Sequence, residues 1–156
     1  MKIDESWYIK PKYKKFPSSV AAGGVVVRKD EGKLLIALIG TDYYKNYMLP
    51  KGRQEGGEEI VSTARREIAE ETGLSNLELI CKLGIKERLS FEKNDWKTIH
   101  YYLFKTDKNS GKQKLQKGEE DLTLNWFDID NLPLLFWPEQ KELIEENRKR
   151  IKKLLT

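Results

Sequence analysis

The sequence has one cysteine, Cys81, so no internal disulfide can form and no cysteine metal cage can be built. Long apolar runs are also missing. The stretches at 20–27 and 34–39 fall well short of the ~20 residues needed for a membrane-spanning helix. No Gly/Ser-rich or Pro-rich linker divides the chain, and no internal repeat is evident. The segment Met1-Lys-Ile-Asp-Glu-Ser6 is polar where a secretion signal requires an apolar stretch. These absences lead us to expect a soluble, cytoplasmic, single-domain protein. The chain itself has 156 residues, a length that suits one core. Its 10% aromatic content and clustered aliphatic runs exclude disorder as the main state.

A formal charge of +4 invites a nucleic-acid reading. The distribution of that charge argues otherwise. Residues 148–156 hold five basic groups and no acid, and residues 1–17 hold five lysines against Asp4 and Glu5. The remaining stretch, 18–147, carries 19 basic and 23 acidic groups, so the body of the chain is acidic.

The segment 1–17 reads as a mostly irregular arm, interrupted by Pro11 and Pro17. Strands are expected at 20–28 and 33–40, joined by Lys29-Asp-Glu-Gly32, and again at 77–89, 96–106 and 122–128. From 57 to 72 the period becomes helical, with Ile60, Val61, Ala64 and Ile68 on one stripe and Gly73 as a stop. A second helix opens at Pro138, where Leu143, Asn147, Ile151 and Leu155 recur every four residues. A mixed sheet packed between helices, an α/β (α+β) sandwich, accommodates this order.

The first helix carries the chemistry. Helical spacing sets Glu67, Glu70 and Glu71 on one face, side by side with the apolar stripe. Like charges at i, i+4 repel, and acids near a helix C-terminus oppose its dipole. Accepting both penalties calls for a compensating cation, and clustered hard oxygen donors suit Mg²⁺ or Mn²⁺. The bland alternative is a solvated charged face with Arg65 and Arg66 supplying the pairs.

The wider pattern decides between them. The order is Gly52, five residues, Glu58, seven residues, then Arg66-Glu67-Ile68-x-Glu70-Glu71-x-Gly73-Leu74. This is a complete Nudix box, and the chain resembles the Nudix hydrolases. Ala21-Ala-Gly-Gly-Val-Val-Val-Arg28, Leu49-Pro-Lys-Gly52 and Trp126-Phe-Asp-Ile-Asp130 extend the resemblance over about 18–147. That leaves 1–17 as an arm and 148–156 as the basic end of the last helix.

The resemblance implies a Nudix-type α/β/α sandwich that hydrolyses a nucleoside diphosphate linked to some group X. By similarity Glu67, Glu70 and Glu71 hold Mg²⁺ (or Mn²⁺), with a backbone carbonyl near Gly52 completing the site. Arg66 is expected to pair with Glu58. The general base is placed differently in different branches: Glu67 or Glu70 within the helix, or an acid of the loop Lys117-Gly-Glu119-Glu120-Asp121, where Glu119 or Glu120 is expected near the metal as ligand or base. Lys51 and Arg53 are candidates for phosphate contact. Tyr43, Tyr44 and Tyr47 are candidates for stacking on a base or covering it, and His100 for touching substrate. Tyr47-Met-Leu-Pro-Lys-Gly52 and the Thr98-Ile-His-Tyr-Tyr-Leu strand look most like the dinucleoside polyphosphate branch, diadenosine tetraphosphate being the representative substrate. The rival readings are a nucleotide-sugar, ADP-ribose or nucleoside triphosphate pyrophosphohydrolase, an RNA 5′ pyrophosphohydrolase, and a non-catalytic nucleotide sensor. The expected partner is a small-molecule nucleotide, with no membrane and no nucleic acid beyond an RNA 5′ end; a homodimer stays open.

Overall fold

The computed structural model describes residues 2–41 and 46–156. Six strands form one sheet: β1 (Ser18–Asp30), β2 (Lys33–Gly40), β3 (Lys51–Arg53), β4 (Glu78–Leu89), β5 (Trp96–Lys105) and β6 (Thr123–Asp128). Two helices, α1 (Ile60–Thr72) and α2 (Pro138–Leu155), pack against it. The strand order is β4-β5-β1-β2-β6, with β3 also paired to β1. β1 and β5 run parallel while the remaining pairs are antiparallel, which makes the sheet mixed.

β1 organises the site. Its run Ala21-Ala-Gly-Gly-Val-Val-Val27 is buried on both faces, as a central strand covered by helices must be. Its second half pairs with β2, and Ala21, Ala22 and Gly23 pair with Arg53, Gly52 and Lys51 of β3. Side chains alternate between the faces. Ala22, Val26, Tyr102 and Phe104 meet Ala64, Ile68 and Leu74 on the α1 side. Ala21, Val25, Ile99, Tyr101 and Leu103 meet Leu143, Ile144 and Ile151 on the α2 side. The expected sandwich is therefore present.

Element boundaries agree closely with the sequence pattern except at the start of α1. Helical periodicity suggests an onset near 57, yet α1 begins at Ile60 after an extended Glu59. The intervening turn is held by the Glu58 carboxylate, which accepts a hydrogen bond from the Glu55 backbone N–H at 2.8 Å. This side-chain contact competes with the first helical turn. The arm also differs from a loose tail. A short 3-10 turn at Glu5–Tyr8 buries Trp7 in a cluster with Leu89, Trp96 and Trp137. Among the described residues, no helix is long and apolar enough to cross a membrane.

Candidate active site

The site is built where β3 passes the C-terminal half of α1. Gly52 sits directly beneath the carboxylate of Glu67. A Cβ at this position would overlap the Glu67 carboxyl group, so no other residue fits without displacing it. One residue earlier, the Lys51 backbone N–H donates to Glu71 Oε1 at 2.7 Å. The short strand therefore fixes two carboxylates of the helix. α1 ends at Gly73 in the left-handed region, φ 81°, and its N–H donates to the Ala69 carbonyl at 2.8 Å.

Arg66 braces the entry loop. Its Nε donates to Glu58 Oε2 at 2.7 Å and its Nη2 to Glu58 Oε1 at 3.1 Å, a two-pronged pair. Nη2 also reaches the Arg53 carbonyl at 2.9 Å. Nη1 donates to Glu67 Oε1 at 2.8 Å and lies 3.3 Å from both oxygens of Glu70. Thr63 adds a hydroxyl donor to Glu58 Oε1 at 3.0 Å. The guanidinium and the Glu55 backbone N–H hold Glu58 down to about 2, and Glu58 in turn raises Arg66.

Glu71 and Glu67 shift the opposite way. Burial drives Glu71 well above the usual carboxylate range, against the pull of Lys51, with Glu119 and Glu67 adding repulsion. Glu67 is raised by burial too, partly offset by Arg66, while Glu70 and Glu119 push it further up. Half-buried or buried acids that repel one another, without enough cation to balance them, are suited to a divalent ion. Among the described residues, no three acidic, histidine or cysteine side chains close into a preformed metal cage. Mg²⁺ does not require one, since it commonly keeps water and takes one or two carboxylates plus substrate phosphates. The donor set fits that demand.

Other candidates are distributed less evenly. Glu120 points back into its own loop, where Oε2 accepts from the Gly118 N–H at 2.9 Å, and the residue is exposed. The loop acid whose charge reaches Glu67 and Glu71 is its half-buried neighbour Glu119. Of the two loop candidates, Glu119 is therefore the one set against the carboxylates of α1, and Glu120 is not. The loop is tied to α1 by Gln113, whose amide donates to the Glu71 carbonyl at 2.7 Å, a contact that sequence pattern does not signal.

Tyr47 is also corrected. It is buried core, its ring edge-on to Phe127 at 4.9 Å, and so is not free to stack on a base. Tyr43 and Tyr44 lie outside the described residues. His100 is on the α1 face, two strands from Gly52 in the same row, roughly 10 Å at ~4.8 Å per strand. Its Nδ1 lies 2.7 Å from Lys82 Nζ, and burial together with that ammonium lowers its pKa. Arg53 is exposed.

Lys51 and Arg53 share the opposite face with Gly23 and Ala21, their partners on β1. There Lys51 is half-buried, and burial followed by the charge of Arg88 lowers its pKa, with Lys97 acting in the same direction. Arg88 and Lys97 are directly paired across β4 and β5. Neither stands out in the sequence, because only the strand register brings them together.

Three comparisons bear on this arrangement. The family profile of the NUDIX domain matches residues 17–146. A Bacillus subtilis (strain 168) protein named "Putative 8-oxo-dGTP diphosphatase" is 34% identical over 98 residues, which is 63% of this chain and 60% of that protein's length. Among solved structures, a C. elegans Ap4A hydrolase binary complex superposes with a TM-score of 0.69 at 22% identity, covering 86% of this chain and 98% of that one. The NUDIX domain of Shewanella oneidensis NrtR, complexed with ADP ribose, gives 0.65 at 18% identity, covering 90% and 94%. At such identities the superpositions establish the fold.

Proposed function

This chain belongs to the Nudix hydrolase family, and we propose that it hydrolyses a phosphoanhydride bond in a nucleoside diphosphate linked to X, with a dinucleoside polyphosphate such as diadenosine tetraphosphate as substrate and Mg²⁺ (or Mn²⁺) as cofactor. The observation that carries this is the pair Glu67 and Glu71, which stand on one helix, half-buried and buried, with the Glu67 carboxylate against Gly52 and Glu71 accepting from the Lys51 N–H of β3.

Glu67, Glu71 and the adjacent Glu70 would hold the ion, with the Gly52 carbonyl nearby. When bound, it supplies charge neutralisation at the diphosphate and makes a water easier to deprotonate. The chain's own residues do the rest. Arg66 and Glu58 lock the loop so that the carboxylates keep their places. Lys51 and Arg53 offer positive charge to phosphates on the other side of β3. Glu119, on a loop facing the same carboxylates, or a glutamate of α1, accepts the proton from water.

A second reading is favoured by the named relative from Bacillus subtilis, namely pyrophosphate release from an oxidised nucleoside triphosphate. Steady-state kinetics with diadenosine tetraphosphate and 8-oxo-dGTP in parallel separates the two. The proposal expects at least tenfold higher kcat/KM for the dinucleotide, with ATP and AMP as products; the reverse order gives preference to the triphosphate reading.

A further inference from the structure

Along α1 runs a cavity of about 520 Å³. One wall is Arg66, Ala69, Glu70 and Gly73, whose spacing of i, i+3, i+4 and i+7 keeps them on one stripe of the helix. The other wall is Ser75 with Lys112 and Lys114, from the segment that connects β5 to β6. The cavity touches the acidic face at Glu70 and extends to Gly73 at the helix C-terminus.

The backbone that carries the two lysines is pinned to that end of α1. The Lys114 N–H donates to the Glu70 carbonyl at 2.7 Å, and the Gln113 amide donates to the carbonyls of Glu71 at 2.7 Å and Leu122 at 3.1 Å. Gly111 lies so close to Gly73 that a Cβ on either would overlap the backbone of the other. Gln113 is therefore held inward, while Lys112 and Lys114 on either side of it are exposed. Among the described residues, neither ammonium is paired with a carboxylate. Arg66 and Glu70 offset each other across 3.3 Å, which leaves the two lysine charges of the cavity unbalanced.

Cations at a helix C-terminus commonly answer its dipole and its unpaired carbonyls. Here those carbonyls are already satisfied. Ile68 accepts from the Thr72 hydroxyl, Ala69 from the Gly73 N–H, Glu70 from the Lys114 N–H and Glu71 from the Gln113 amide. The two ammonium groups and the Ser75 hydroxyl remain as donors around one opening. Such a set suits an anion, and lysine binds phosphate as a point charge. The place beside Glu70 favours phosphates continuous with those at the carboxylates. A tetraphosphate chain has two phosphates beyond any diphosphate held there, and these need cations of their own.

We propose that Lys112 and Lys114, with Ser75, form a subsite for the distal phosphates of the substrate's polyphosphate chain and so select its length. This rests on the dinucleoside polyphosphate reading above and adds to it where the chain runs past the acidic face of α1. The test is calorimetric titration of the full chain, with Mg²⁺ present, against two uncleavable probes. Methylenediphosphonate carries two phosphorus groups and bis(phosphonomethyl)phosphinate carries three. Wild type should bind the longer probe about tenfold more tightly, on the scale of one charge-assisted hydrogen bond. The double variant Lys112→Ala/Lys114→Ala should lose that margin and leave methylenediphosphonate unchanged, and Lys112→Arg/Lys114→Arg should restore it. Lysines that serve only the helix end would lower the melting temperature when removed and leave the margin intact, which overturns the proposal. So does a wild type without the margin, an equal loss for both probes, or no binding of either. A lysine-dependent margin in a protein that hydrolyses nothing keeps the subsite and rejects the hydrolase reading, whereas turnover of diadenosine tetraphosphate with a KM indifferent to both lysines does the opposite.

Discussion

Arg66 links the entry loop to the acidic face of α1, and its geometry is what a lysine cannot copy. A single ammonium cannot hold both oxygens of Glu58 while also reaching Glu67 and the Arg53 carbonyl. Arg66→Lys should lower kcat/KM by roughly 10–100-fold, the usual scale for partners that orient metal ligands. Glu71→Gln keeps the acceptor for the Lys51 N–H but removes the charge, and should cost more than ~10²-fold while leaving the circular dichroism unchanged. Near-normal rates in that variant would remove Glu71 from the site. Glu58 makes a pH prediction. Its folded pKa is depressed to about 2 from 4.5, so its contribution to stability is complete above about 4.5 and lost as pH falls toward 2. The difference in thermal midpoint between wild type and Glu58→Gln, followed over that range, should shrink with acidification; a constant difference contradicts the pairing.

At the scale of elements, α1 works as a ligand carrier because β3 lies close beneath it. Gly52→Ala places a methyl group into the Glu67 carboxylate and should abolish activity with little change in melting temperature. Gly73→Ala is the contrasting case. At φ 81°, with Gly111 pressed against it, a side chain strains the helix end by at least ~1–2 kcal/mol, which corresponds to a drop of about 4 °C or more in Tm. Much of this element is legible in the sequence. The period places Ile60, Ala64 and Ile68 inward, the spacing places the three glutamates on one face, and β2 runs over 33–40 as expected. The onset of α1 is not legible, because the Glu58 side chain, not periodicity, shapes the preceding turn. Glu119 and Glu120 cannot be separated for a similar reason. They are adjacent in a loop, and only the path of the backbone decides which faces α1.

On the scale of the whole molecule, the sheet separates two chemistries. Glu67 meets Gly52 on the α1 side, while Lys51, Arg53, Arg88 and Lys97 gather on the other. The segment count of charge anticipates an acidic body but not this basic grouping, which three strands, β3, β4 and β5, bring together. The arm is illegible for the same reason, since Trp7 finds Leu89, Trp96 and Trp137 only through tertiary contact. Arg88 and Glu139 are 1% and 5% exposed, so Glu139→Leu strands a buried guanidinium and should cost about 3–5 kcal/mol. Thermal denaturation checks this; a loss under about 1 kcal/mol contradicts the buried pair. The most direct measurement of the central claim is the initial rate of hydrolysis across a panel of nucleoside-diphosphate substrates, with Mg²⁺ and with a chelator, for wild type and Glu71→Gln. We expect turnover of at least one member that disappears both with the chelator and in the variant, whereas turnover indifferent to the chelator, or none on any substrate, contradicts it.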